Sequence, residues 1–595
     1  MLRMSHARMT SLSAGFRRAT SSLFSLAVLV GLVAAPVAAE ETTHVVTGIR
    51  SAQEVRSDLR FVVSDLAGER ASYDDLLDPF IETLLFGLNT SQPQRFDLVL
   101  SDKEEFTLLM VLPLADEKEF IRNNLEPVSI KVRKSRRPSG RYKLTGNVYE
   151  GVMQVDGRYA LIARDEDYLP SGSAAAGRVL PGLLDQPQWD VVLHVGPESG
   201  DPNTRVSVAE AVGARRTEKL SRKADETPEE FALRKVLASH SAARLKRLLG
   251  GVDTLDLKLA VDSGARNSRS LLSVKPRSGT DLAEGVEKIG SEPYPFAAVP
   301  TTDDATLSGR MQWMMTDARR ERMTESIEAA RPVAKQAVEE STGTDAQKDA
   351  RRKLNELIYD LLTDNTTQSA IDLFGEVKPA GGSHTGIMGI SAADTSKVEE
   401  MLDLLVAGYD DTSVEKNVGE VTTGGGETIT LHKVKLPEVS PILRNFFGTG
   451  TGLIGVGEKH VYGAIGSEGE ATLKAALATI DGPGQPSENV ASLRMHAGPI
   501  AELVNDLLTN NQTSLVDFLR QRRQQRRPNA DRRVQVGDPE AYRRVMVQAM
   551  KSGNDVVEMT LKKTDGQLIG DATAGESVLR GIGEAIAKFA EDNLR

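Results

Sequence analysis

The sequence predicts an α+β protein of two homologous lobes, each a mainly antiparallel sheet with helices packed on one face, plus charged helical arms. Three observations predict it. Four pairs of segments recur in the same order along the chain, short apolar or alternating strands are joined by glycine turns, and the stretches between them are amphipathic or charged helix formers.

A chain of 595 residues predicts several domains, and 40% hydrophobic with 26% charged residues is the balance of an ordinary folded protein. The absence of cysteine excludes disulfides, thiolate metal sites and cysteine nucleophiles.

Residues 1–39 read as a signal peptide. Arg3, Arg8, Arg17 and Arg18 precede an apolar run from Leu23 to Ala35, with small Val37 and Ala39 before Glu40. The run is too short to span a bilayer, and no later stretch approaches a membrane span. Cleavage after Ala39 and a secreted or periplasmic location are expected, with an uncleaved anchor as the alternative. Removing four arginines and no acid moves the net charge from −11 to −15.

Lobe 1 is expected over residues 40–289 and lobe 2 over 290–595. Residues 106–120 (FTLLMVLPLADEKEF) lie against 384–398 (HTGIMGISAADTSKV), an apolar strand feeding an Asp-capped helix, at an offset of 278. Residues 155–163 lie against 456–464 at 301, and both 192–197 against 494–499 and 255–264 against 557–566 at 302. Two copies at this spacing indicate tandem duplication rather than a solenoid. The prolines near Pro293 and Pro295 suit a linker.

The elements follow in order. Asp116 with Glu119 makes a capping-box start. Strands are expected at Tyr142 to Val148, Thr428 to Val434 and Val557 to Leu561, paired antiparallel. Helical arms are expected over Val206 to Leu249 and about 313–363, with Pro332 kinking or starting a helix. After Asp394, Val398, Met401, Leu402, Leu405 and Val406 fall on one helical face. A last helix from Glu576 sets Val578, Leu579, Ile582, Ile586 and Phe589 on one side and closes the second lobe.

Catalytic signatures are sparse. There is no His-Glu-x-x-His, no phosphate loop and no Gly-x-Ser-x-Gly elbow, and neither a metal site nor a cofactor is expected. Gly450-x-Gly452-x-x-Gly455 fits a dinucleotide fingerprint by spacing, but a turn and strand follow it where a helix must open. His194 and His496 recur in a shared His-x-Gly-Pro pattern and are the candidate catalytic residues; a hydrogen-bonded structural histidine is the competing reading. Arg133, Lys134, Arg136 and Arg137 form one basic tract, and Arg522, Arg523, Arg526 and Arg527 another. Both are candidates for an anionic cell-envelope polymer, with a solvated loop as the alternative. Neither tract interleaves aromatics, so nucleic acid is not expected.

The strand ending at Asp394, the helix from Val398 to Leu405, the glycine turn and the strand from Glu427 to Lys435 resemble duplicated secreted bacterial proteins of unknown function, of the planctomycete type. The resemblance implies an exported, two-lobed protein and carries over no catalytic residues. The sequence points to a non-enzymatic binding or scaffold protein with an unidentified ligand or protein partner. A carrier of a lipid or other apolar ligand and an extracytoplasmic hydrolase stand as alternatives.

Overall fold

A computed structural model describes residues 42–594 except 102–105, 127–128, 136–139, 147–148, 170–187, 224–225, 436–440, 481, 483 and 510–538. The expected signal peptide, Arg136, Arg137, Arg522, Arg523, Arg526 and Arg527 lie outside the described residues.

Twenty strands form one antiparallel sheet. The first ten are β1 (Thr42–Ile49), β2 (Gln94–Ser101), β3 (Phe106–Pro113), β4 (Lys131–Lys134), β5 (Arg141–Thr145), β6 (Glu150–Asp156), β7 (Tyr159–Ala163), β8 (Val191–Val195), β9 (Val252–Asp262) and β10 (Asn267–Pro276). The second ten are β11 (Leu307–Met314), β12 (Ala370–Ala380), β13 (Ser383–Ser391), β14 (Ser413–Thr422), β15 (Thr428–Lys435), β16 (Thr451–Val456), β17 (His460–Ile465), β18 (Asn489–His496), β19 (Val556–Thr564) and β20 (Gln567–Ala574).

From one edge to the middle the order is 4-5-6-7-3-2-1-8-9-10. From the other edge it is 14-15-16-17-13-12-11-18-19-20, the same list with ten added. The halves join where β10 pairs with β20. The expectation of a separate sheet in each lobe is therefore corrected to one continuous sheet. Strands that end each half leave backbone donors and acceptors open, and pairing them with each other satisfies both.

The principal helices are α1 (Ala52–Arg60), α2 (Pro202–Glu218), α3 (Pro228–Gly250), α4 (Asp281–Glu287), α5 (Asp317–Glu340), α6 (Asp345–Asn365), α7 (Ser396–Gly408), α8 (Pro441–Phe447), α9 (Gly469–Ala478), α10 (Ala497–Thr509), α11 (Pro539–Ala549) and α12 (Glu576–Leu594). They do not keep to one face of the sheet, which is a second correction. On the front face α2 and α3 bring Val208, Val212 and Leu249 onto Val195, Leu255 and Val274. On the back face α9 brings Leu473 and Leu477 onto Phe374, Ile387 and Tyr462. Helices meet both faces because alternate residues of each strand point to opposite sides of the sheet.

Local chemistry sets the element starts in part as expected, since the Asp116 N–H donates to the Gly87 carbonyl at 3.0 Å rather than to Glu119. The Asp116 side chain accepts the Glu119 N–H at 2.9 Å. Asp394 accepts the Ser396 N–H at 3.1 Å, one residue ahead of the formal cap Thr395. The arms are the hairpins α2–α3 and α5–α6, and α5 runs through Pro332 without ending. The glycine segment at 450–455 enters the β16–β17 hairpin. The expected linker is instead a packed element: Tyr294 and Phe296 are buried in the back-face core.

Helix α12 starts at Glu576 and buries only part of the expected stripe: Leu579 and Ile586 pack inward, Ile582 is 40% exposed, and small residues complete the buried face. Leu579, Gly583, Ala587 and Ala590 face inward, and the helix packs both on α11 of the second half and on Phe61–Leu66 of the first. Gly583 lies against the Val62 carbonyl so closely that a Cβ there would stand 2.3 Å from its oxygen.

Candidate functional site

His194 and His496 each meet a carboxylate that their own strand does not supply. His194 Nδ1 is 2.6 Å from Asp256 Oδ1 on β9, directly opposite in the β8–β9 ladder. His496 Nδ1 is 2.7 Å from Asp555 Oδ1, and the other Asp555 oxygen accepts the Gly498 N–H at 2.9 Å. An acid on Nδ1 fixes the ring and its tautomer, which a structural pair and a catalytic base both need. A hydrolytic triad further requires a nucleophile at the second nitrogen. Among the described residues none is placed there for His496. Neither histidine lines the groove of about 340 Å³ between α5 and α6 or a small pocket of about 10 Å³ beside Arg310 and Phe374.

The sheet register also separates the two histidines. Leu109, Asp97, Val46, His194 and Asp256 form one row across β3, β2, β1, β8 and β9. The matching row across β13, β12, β11, β18 and β19 is Ile387, Glu376, Ser308, Arg494 and Glu558. Arg494, ion-paired with Glu558, thus stands where His194 stands, and the His-x-Gly-Pro match runs two residues out of phase with the sheet.

Asp97 in that row is fully buried. Arg95 Nε and Nη2 donate to it at 2.6 and 2.9 Å, and His44 Nδ1 lies at 3.1 Å. Burial alone would raise this carboxyl. The hydrogen bonds from His44 and Arg95 and the guanidinium charge outweigh burial and hold it below the usual carboxylate range.

Of the basic tracts, the described residues Arg133 and Lys134 lie exposed on β4, the outermost strand of the first half. Lys134 sits 5.8 Å from the Tyr142 ring centre. Short, cationic edge strands discourage pairing with other chains, so the charge has a structural use here. Among the described residues no group of three or more His, Asp and Glu could hold a metal ion, and no helix is long and apolar enough to cross a membrane.

The most distinctive surface is one the motifs did not mark. On the front face Leu259, Ser270, Ala572, Met559, Leu493, Gly309, Gly375, Met388, Gly463 and Ile454 form a row over ten strands, β9 to β16 in spatial order. The flanking row from Leu257 through Leu561, Met311, Leu373 and Ile390 to Val456 carries no charge, nor does the one from Val261 through Val557, Met495, Leu307 and Val377 to Gly452. Of these thirty positions only Gly386 and Gly570 are buried; Met388 is 48% exposed, Leu259 43% and Met559 40%.

At ~4.8 Å per strand the row is about 43 Å long. Met110 occupies on β3 the position of Met388 on β13, and it is only 9% exposed because Phe120 and Leu125 pack in the same cluster. The helix that follows β13, α7, packs along α6 instead. Alternating apolar residues in β11, β12 and β18 are visible in the sequence, but whether a helix covers them depends on contacts distant in the chain.

No protein family, no curated protein and no solved structure matches this chain.

Proposed function

We propose that this chain is an exported, non-enzymatic binding protein that holds an amphipathic helix of a partner protein along the exposed central row of the front face between β9 and β16. The observation that carries the reading is the uncharged face of thirty positions, far more continuous than the scattered apolar residues of an ordinary surface. A helix is the favoured occupant because helical segments cover the matching strands of the first half. Gly309, Gly375 and Gly463 let a helix come close, and Met388, Met559, Met311 and Met495 can re-pack around varied side chains. A face about 43 Å long accommodates a helix of about 29 residues.

The repeated strand order and the in-phase rows support reading the chain as a tandem duplication whose second copy opened its front face for binding. Export rests on the signal-like amino terminus and on the resemblance to secreted bacterial proteins.

The test is fluorescence anisotropy with a labelled 28-residue Leu/Lys amphipathic helix. Met388→Asp with Met559→Asp should weaken its binding at least tenfold while the circular dichroism spectrum is unchanged. Wild-type protein that binds no helix but takes up palmitate stoichiometrically would replace this reading with the lipid carrier. Binding neither would overturn both.

A further inference from the structure

A second candidate site lies away from the sheet, in the helical arm. Helices α5 and α6 enclose a groove of about 340 Å³ with cationic walls from Arg331, Lys335, Arg352 and Lys353 and an apolar lining from Leu357 and Tyr359. Two acids, Glu356 on α6 and Glu400 on α7, also border it.

The cations divide into two kinds. Arg331 is held by Glu356 and, at 2.9 Å, by Asp360, with its guanidinium 5.6 Å from the Tyr359 ring centre. Arg352 is held by Glu339 at 2.6 Å and by Asp349. Both arginines are therefore fixed walls. Lys335 and Lys353 are exposed and make no ion pair among the described residues. An ammonium in that state keeps its charge for a ligand, whereas an engaged arginine must first give up a carboxylate.

We propose that this groove binds a phosphate monoester bearing an aromatic or short aliphatic group. Its phosphate would sit between Lys335 and Lys353 and its apolar part against Leu357 and Tyr359. A phosphate monoester carries about −1.5 to −2 near pH 7 and can be met by the two ammonium groups of Lys335 and Lys353, which no carboxylate takes up in an ion pair among the described residues. The apolar lining distinguishes this ligand from inorganic phosphate, and the cations distinguish it from a neutral aromatic. The groove is separate from the open sheet face, so this inference stands or falls independently of the proposed function.

Isothermal titration calorimetry of the whole protein at low salt tests it with three probes: phenyl phosphate, inorganic phosphate and phenol. Phenyl phosphate should bind at least tenfold more tightly than either of the others. Lys335→Glu with Lys353→Glu should abolish that binding, and because both side chains are exposed the melting temperature should hold. Equal affinity for phenyl phosphate and inorganic phosphate, an unaffected double variant, or no binding of phenyl phosphate would each overturn the proposal.

Discussion

Leu271 on β10 pairs with Asp571 on β20 at the centre of the seven-pair ladder that joins the two halves of the sheet. Outward from this pair, Leu271 meets Lys258 and Asp571 meets Thr560, so the strands on either side follow the same sequence of partners. The ladder makes the two halves one hydrogen-bonded body.

A break in that ladder should therefore uncouple them. Leu272→Pro removes a backbone donor in a central strand, where proline is not accommodated, and should cost on the order of 3 kcal/mol. Scanning calorimetry should show the main transition of the wild type lowered and divided in the variant. An unchanged thermogram would mean that the halves fold without regard to the β10–β20 pairing.

Gly583 tests the docking of the carboxy-terminal helix on the amino-terminal half. A methyl group there would meet the Val62 carbonyl oxygen at 2.3 Å, and backbone yields less readily than a flexible side chain. Gly583→Ala should destabilise by about 1–3 kcal/mol despite its gain in helix propensity. Ile582→Ala, at a side chain 40% exposed, should be nearly neutral. Urea unfolding of the pair checks it, and the reverse order would restore the stripe of Val578, Ile582 and Phe589 as the buried face.

That comparison also marks how far the sequence was legible. The antiparallel strands, the hairpin at Gly450 to Ile465 and the Asp116 cap follow from local alternation and turn chemistry, which act within a few residues. The buried stripe of α12 does not, because Gly583, Ala587 and Ala590 are chosen by close contact with a segment more than 500 positions earlier, and small residues carry little hydrophobic signal. The His194–Asp256 pair is similarly hidden. Its partner lies opposite on another strand, and the recurring Gly-Pro turn drew the match toward His496, two residues out of the sheet register. The continuous sheet depended on β10 and β20 pairing across 300 positions, which no local pattern encodes.

Asp97 should be a major contributor to acid stability. Its carboxyl is held below the usual range, so the stability it gives is fully present above the unfolded-state value near 3.9 and is lost as pH falls toward its folded value. Asp97→Ala leaves Arg95, itself buried, without its partner and should cost about 3–5 kcal/mol at pH 7. The cost should shrink as the medium falls below the unfolded-state value toward pH 3, because protonation there favours the unfolded wild type. Urea midpoints of wild type and variant across pH 3 to 7 check both, and a loss below about 1 kcal/mol at pH 7 would refute the role.

Asp58 should act in the opposite sense. It lies on α1, where burial raises it first and the charge of Asp190 and Glu54 raises it further, against the opposing Arg50; together they push it up to about 7. Asp190 is itself committed, accepting the Val261 N–H at 3.0 Å and lying 3.5 Å from Arg50, so a protonated Asp58 is what lets the two carboxyl groups share a hydrogen bond. Between about pH 4 and 7 the folded state then holds a proton that the unfolded state has lost, so stability falls as pH rises through that window. Because the side chain is only about half withdrawn from water, the effect should be on the order of 1–2 kcal/mol rather than the full value of the shift. Asp58→Asn keeps a donor toward Asp190 and cannot ionise. It should therefore be more stable than the wild type at pH 8, match it near pH 4, and flatten this part of the stability profile. Urea unfolding at the two pH values decides it, since a variant less stable than the wild type at pH 8 would show that ionised Asp58 is stabilising.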